Sequence, residues 1–310
     1  MSVKGKFVPV MITPFKENKE IDYKQLTALT EFYLKAGAKG LFANCLSSEM
    51  FELTEAERIA ITRHVVEVAA GQVPVVSTGT FGGAISSQAE FVKKIYDTGA
   101  DAVIAITSLL AEEHESDEIL DARVEELLGL TGNIPLGFYE CPVPYKRVLS
   151  PEQLKSYVDS GKVVYHKDTS LDIDSVTRKI ELTKGKKFEL YDAYMVNAVA
   201  SLQAGAAGLS CIQGNFVPEL VVWLCDHFAD ASMQPSVETV QQFFVDNMDV
   251  MHNVYPIIAK YFLQKRGFEI NLTTRRDVGQ FTDTIAADID AFYNRYQALK
   301  AEIGLTDLSF

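Results

Sequence analysis

One unit recurs along most of this chain: a short apolar run followed by a segment whose large apolar side chains return every three or four residues. The runs fall at residues 7–12, 40–44, 74–77, 102–106, 135–139, 163–167, 188–191 and 208–212. Each is short enough for a buried strand, and they start roughly every 20 to 35 residues, the spacing of βα units. The intervening segments 26–34, 55–70 and 88–96 carry helical periodicity. Helix starts are marked by caps: Thr54 with Glu57, Ser87 with Glu90, and Ser150 ahead of Pro151.

A weak repeat supports the same unit. Around Gly37, Gly99 and Gly205 a helix ends at a glycine suited to left-handed backbone, and small residues then lead into an apolar run. Eight strands each followed by a helix is the count of an α/β TIM (β/α)8 barrel. A doubly wound open sheet is the competing architecture, but the first strand (Val10-Met11-Ile12-Thr13) is not followed by a glycine-rich nucleotide fingerprint. After about residue 230 the alternation stops. A long apolar helical pattern at 237–264, broken at Pro256, and a second at 285–303 predict a helical C-terminal region. The expected division is a barrel over 1–230 and helices over 231–310. Those helices suit either an oligomer surface or the mouth of the site.

Charge narrows the partners. With 42 acidic and 29 basic residues the chain carries a formal net charge of −13, which disfavours nucleic acid or an anionic membrane surface. A small anionic substrate stays open, because a pocket can be locally positive within an acidic shell. No apolar run reaches membrane-spanning length, and Met1–Lys6 lacks an apolar signal core, so a cytoplasmic location is expected. Cys45, Cys141, Cys211 and Cys225 are widely spaced, as free thiols in a reducing compartment would be.

In such a barrel, chemistry sits at the C-terminal strand ends. Lys167 is the one lysine at those ends, and Tyr139 closes the neighbouring strand. An amine in a low-dielectric site loses its proton and becomes a nucleophile. Beside a phenol that gives and takes protons, it suits Schiff-base chemistry on a carbonyl. A metal-dependent route would need histidines or carboxylates gathered at strand ends. Of the five histidines only His166 lies in a strand, and alternation turns it away from Lys167; neither a metal nor another cofactor is expected. Cys45 and Cys141 lie at strand ends without a histidine signalled to activate them. The loop 78–87 is glycine-rich and opens onto a helix, and Ser47-Ser48-Glu49 offers hydroxyls and amides suited to a carboxylate. Ser210 stands at the last strand end, as a further candidate substrate contact, with Asp192 and Asn215 also at the mouth.

The order of these pieces resembles the family of dihydrodipicolinate synthase and N-acetylneuraminate lyase. The points of similarity are Ile12-Thr13-Pro14-Phe15, Ser48-Glu49 with Leu53-Thr54-Glu55-Ala56-Glu57-Arg58, Gly99-Ala100-Asp101-Ala102, Phe138-Tyr139-Glu140-Cys141-Pro142, His166-Lys167-Asp168 and Gly205-Ala206-Ala207-Gly208. The resemblance implies a lysine, Lys167, that forms an iminium with pyruvate or another 2-oxo acid, and a tyrosine, Tyr139, that moves protons. It implies that Ser47 and Ser48 hold the carboxylate, and that the chain assembles as a homo-oligomer, a dimer or tetramer. The chain departs from the pattern in three places. Leu46 replaces a loop hydroxyl, Thr107-Ser108-Leu109-Leu110 stands where synthases carry T-P-Y-Y, and Pro144 stands where they carry an arginine, with Arg147 out of register. The expectation is a lyase or aldolase for a 2-oxo acid. The synthase activity itself, a dehydratase using the same lysine, and a non-catalytic barrel that binds a small acid remain open.

Overall fold

The computed structural model describes residues 4–306 and 308; Met1–Val3, part of the stretch read for a signal core, lie outside them. Eight parallel strands form one sheet: β1 Lys6–Phe7, β2 Leu41–Phe42, β3 Val75–Thr78, β4 Ala102–Ile106, β5 Leu136–Tyr139, β6 Val163–Asp168, β7 Glu189–Asp192 and β8 Gly208–Leu209. Their order is β1-β8-β7-β6-β5-β4-β3-β2, and a parallel bridge between Val10 and Phe42 joins the two ends into a barrel. Among the described residues, the α-helices that alternate with the strands are α1 Tyr23–Ala36, α2 Glu55–Ala69, α3 Ile85–Tyr96, α4 Asp117–Leu130, α5 Pro151–Asp159, α6 Ile173–Thr183, α7 Ala198–Ala204 and α8 Pro218–His227. Three more follow: α9 Gln234–Asp246, α10 Ile257–Lys265 and α11 Asp283–Glu302.

The eight apolar runs are the eight strands. The first differs most from its expected span. Pro9 has no N–H to give to a ladder, so pairing stops after Phe7 and resumes only as the Val10 bridge, with the Pro9 carbonyl accepting from Phe42 N. The capping boxes of Thr54 with Glu57 and of Ser150 with Gln153 are both formed. The expected Ser87–Glu90 cap is not. Gly82 and Gly83, at φ 87° and 83°, turn the chain early, so α3 starts at Ile85 behind Ala84, and Glu90 pairs with Lys93 instead. Gly37, Gly99 and Gly205 all take the left-handed backbone expected of them.

Apolar packing divides at the barrel wall. Val10, Phe42, Ile104, Ile106, Tyr139, Tyr165 and Tyr191 fill the interior, while Leu120, Val124, Phe138 and Tyr157 pack between the sheet and its surrounding helices. The C-terminal helices share a core with the barrel's own α1 and α8. Phe216 meets Phe262 and Phe292 edge-on, at 5.6 and 5.9 Å between ring centroids.

Closure depends on a close backbone approach. Gly208 pairs with Lys6 across the β1–β8 seam, and a Cβ at Gly208 would overlap the Lys6 backbone itself. Backbone on both strands cannot yield as a side-chain tip would. Gly208→Ala should therefore lie at or above the upper end of the roughly 1–3 kcal/mol typical of overpacking, read as a lowered urea midpoint. An unchanged midpoint would refute this account of the seam.

Candidate active site

Strands β5 and β6 run in register, with Tyr139 opposite Lys167 and Lys167 opposite Tyr191. These three side chains therefore face the barrel interior, and His166 faces the helices. Lys167 Nζ stands over the Tyr139 ring, 4.3 Å from its centroid. Both residues are buried. Burial lowers the Lys167 pKa, and the groups acting on it are the thiols of Cys45, Cys141 and Cys211 rather than carboxylates. Burial in turn holds Cys141 up, and Cys211 up at about 12, so these two thiols offer the amine no counter-ion. Burial likewise raises Tyr139 well above its ordinary value, keeping it a neutral phenol.

A cavity of about 330 Å³ opens over Lys167. Its floor is made of buried residues, Lys167, Tyr139, Ser47 and Ser210, and its rim of more exposed ones, among them Lys146, Tyr194, His252 and Arg276. Among the described residues that line it, Glu49 is the one carboxylate, and it is already engaged. Glu49 Oε2 accepts from the backbone N–H groups of Arg275 and Arg276 at 2.6 and 2.9 Å, and Oε1 lies 3.4 Å from Lys260 Nζ. The lining is thus net cationic inside an acidic molecule, an arrangement that concentrates small anions.

The two adjacent serines have different surroundings. Ser47 lines the cavity. Ser48 does not: its hydroxyl lies 2.6 Å from the Met11 carbonyl and 3.0 Å from that of Ala43, and accepts from Cys45 N at 3.1 Å. It ties the chain after β1 to the chain after β2, which leaves it no free valence for a substrate. Ser210 lines the cavity and accepts from the Tyr165 hydroxyl at 3.3 Å. The glycine-rich loop 78–83 does not border the cavity. Arg147 turns away from it, donating to the carbonyls of Glu112 and Glu115 and to Asp117, each at 2.9 Å.

Behind the wall lies a second charged group. Glu140, His166 and Asp168 are close enough together to hold a cation. The cation present is Lys179, whose ammonium donates to Glu140 and Asp168 at 2.7 and 2.6 Å.

The family model for the dihydrodipicolinate synthetase family matches residues 4–293. The chain belongs to this family. Curated relatives include the 4-hydroxy-tetrahydrodipicolinate synthases of Brachyspira hyodysenteriae, 24% identical and covering 92% of this chain and 95% of the relative, and of Bacillus subtilis, 25% identical and covering 86% and 90%. Among solved structures, YagE of E. coli in complex with pyruvate superposes with a TM-score of 0.83 at 22% identity, covering 96% of this chain and 98% of that one. Dihydrodipicolinate synthase of Acinetobacter baumannii complexed with pyruvate gives 0.81 at 19% identity, covering 98% and 100%. Among the described residues, no helix is long and apolar enough to cross a membrane.

Within that family fold, several lining residues lay outside sequence reasoning, among them Lys146 after β5 and Tyr255 and Arg276 from the C-terminal region. The sequence signals nothing at Arg276. At Tyr255 the one hint is Pro256, which breaks the helical pattern where the chain must turn toward the barrel. Asp192, by contrast, does not line the cavity. It is buried opposite Asp168; Oδ1 accepts from Tyr194 N at 2.8 Å, and Oδ2 has no hydrogen-bond partner.

Burial, joined by the charge of Asp168, pushes the Asp192 carboxyl up to about 7. The folded state therefore holds a proton that the unfolded chain releases near the ordinary value of 3.8. Between these two pH values the wild type should lose stability as pH rises, by at most about 1.4 kcal/mol per unit. Asp192→Asn is neutral throughout and should gain on the wild type over that window, as read by urea titrations at pH 5, 6 and 7.5. Parallel curves would contradict the account.

Proposed function

We propose that the protein is a class I lyase or aldolase that binds a 2-oxo acid of the pyruvate type as an iminium on Lys167. The observation that carries this reading is the Lys167 amine, buried without a carboxylate partner against the face of Tyr139. Stripped of its proton by desolvation, the amine attacks the keto carbon, and loss of water leaves an iminium. The iminium withdraws electrons from the adjacent carbon, where a carbon–carbon bond is made or broken. Tyr139 exchanges protons with the reacting nitrogen and carbon. Ser47 and Ser210, on the cavity floor, bind the carboxylate, and Arg276 with Lys146 draws the anion in. Two solved relatives were crystallised with pyruvate, which supports the substrate class. Assembly as a dimer or tetramer, implied by the family resemblance, belongs to the same proposal.

The synthase reaction is the second reading, favoured by the names of the curated relatives. Against it stand Leu46, the buried Leu110 and the redirected Arg147. Condensing pyruvate with aspartate semialdehyde tests it directly.

Borohydride reduction in the presence of pyruvate, followed by peptide mass spectrometry, should find the adduct on Lys167. Lys167→Ala should abolish it, and Tyr139→Phe should slow turnover by about 100- to 10,000-fold. If no member of a 2-oxo acid panel leaves an adduct at Lys167, the reading is wrong. Because the amine acts when neutral, the rate of adduct formation should rise with pH through a midpoint below the ordinary lysine value of 10.5. Metal independence is part of the proposal: dialysis against a chelator should leave the rate unchanged, and a loss restored by a divalent ion would contradict it.

A further inference from the structure

We infer that Tyr255, brought in by the C-terminal region, is the phenol through which the net proton of iminium formation enters the site. The inference rests on the Schiff-base reading and adds a second proton-transfer residue to it. As Lys167 Nζ bonds to the keto carbon, the carbonyl π pair moves to oxygen. The nitrogen gives up one proton and the oxygen gains one, leaving a neutral carbinolamine. The hydroxyl then takes a second proton, the carbon–oxygen bond breaks and water leaves. The nitrogen lone pair forms the carbon–nitrogen double bond, and the nitrogen keeps its last hydrogen. One proton must therefore be supplied to the pair from outside.

Tyr139 is well placed for the internal transfer, since its ring lies beside Nζ. At 3% exposure it lies at the bottom of the cavity, away from the mouth, with the Cys141 thiol acting on its phenol. Tyr255 is half-buried at the mouth and lines the same cavity. The direction of its hydrogen bonds follows from its neighbours. Asn215 Nδ2 gives one hydrogen to the Val10 carbonyl at 2.8 Å and the other to Tyr255 Oη at 2.6 Å, while Oδ1 accepts from the Tyr33 hydroxyl at 2.6 Å. A carbonyl can only accept, which fixes the amide orientation. Tyr255 Oη is thus an acceptor toward Asn215, and its own O–H is free to point elsewhere. The Ser47 hydroxyl on the cavity floor lies beside it and acts on its phenol. The groups that act on it electrostatically include Tyr33 and Tyr139, both phenols held neutral by burial. A phenol that bridges the mouth and Ser47, with its proton uncommitted to its amide partner, can deliver that proton inward and be recharged from water.

The test follows adduct formation in time. Wild type and Tyr255→Phe are mixed with pyruvate, quenched with borohydride at intervals, and the Lys167 peptide is quantified. The adduct should build up at least about 100-fold more slowly in Tyr255→Phe, with the KM for pyruvate little changed. An unaltered rate overturns the inference. So does a raised KM at an unaltered rate, which would make Tyr255 a positioning residue for Ser47. Absence of adduct in the wild type would overturn the Schiff-base reading and this inference together. If Tyr255→Phe does not fold, 3-fluorotyrosine placed at position 255 preserves the hydroxyl and makes it more acidic. The alkaline limb of the rate profile should then move to lower pH, and a limb that stays in place overturns the inference.

Discussion

Two lysines a barrel wall apart undergo the same desolvation and end in opposite states. On the outer side, Lys179 lies between Glu140 and Asp168, and their charges outweigh burial and raise its pKa. On the inner side, Lys167 has thiols and an aromatic ring beside it in place of carboxylates, so burial prevails and its pKa falls. The outer group supports the inner one. Glu140 and Asp168 directly follow Tyr139 and Lys167 in sequence, so a single ammonium anchors both strand ends. Glu140 also accepts from Leu149 N and Thr169 N at 3.0 Å, and Asp168 from Ser170 N at 2.8 Å, which sets the loops that leave the site. Removing one member of such a buried group typically costs about 3–5 kcal/mol because its partner is left charged and unpaired. Here the damage would pass directly to the reacting pair.

His166 completes that outer group. Burial alone would depress its pKa, but Glu140 and Asp168 outweigh burial and raise it. The carboxylates beside it outnumber the single Lys179 ammonium, and this is what pulls its pKa up. The strand sequence Tyr165-His166-Lys167-Asp168 thus alternates between two settings: an aromatic and an amine inside, ionisable groups outside.

That alternation explains what could be read from the sequence. Strand positions, the glycine turns and the pairing of Tyr139 with Lys167 follow from local periodicity and the eightfold repeat, which depend only on nearby residues. The difference between Ser47 and Ser48 does not. It turns on which way each serine faces in the chain after β2, set for Ser48 by the Met11 carbonyl in the chain after β1. Tyr255 and Arg276 were illegible for a related reason: they reach the cavity from irregular segments whose path is set by tertiary contacts. One such contact is Glu49, which accepts from the backbone of Arg275 and Arg276 and so draws the chain beyond α10 over the mouth. The C-terminal region, equally suited from sequence to an interface or a mouth, contributes to the mouth.

The departures from the family pattern share one geometric sense. Leu110 is buried in the core group that includes Leu120 and Val124 of α4, and Arg147 stitches the loop beyond β4 through the Glu112 and Glu115 carbonyls. That side of the mouth is tied down, with Lys146 as its charged lining residue. Across the barrel, over β8, β1 and β2, Asn215, Ser47 and Glu49 receive Tyr255 and Arg276 from the C-terminal region. Polar groups missing beside β4 and β5 are matched by others arriving over the opposite strands. An anion bound as proposed at Lys167 would meet Arg276 and the Tyr255 hydroxyl on the C-terminal side of the cavity, and Lys146 on the other. On the proposed reading, the reacting carbon would be held as the family resemblance implies, while the remainder of the molecule would be read from a different direction.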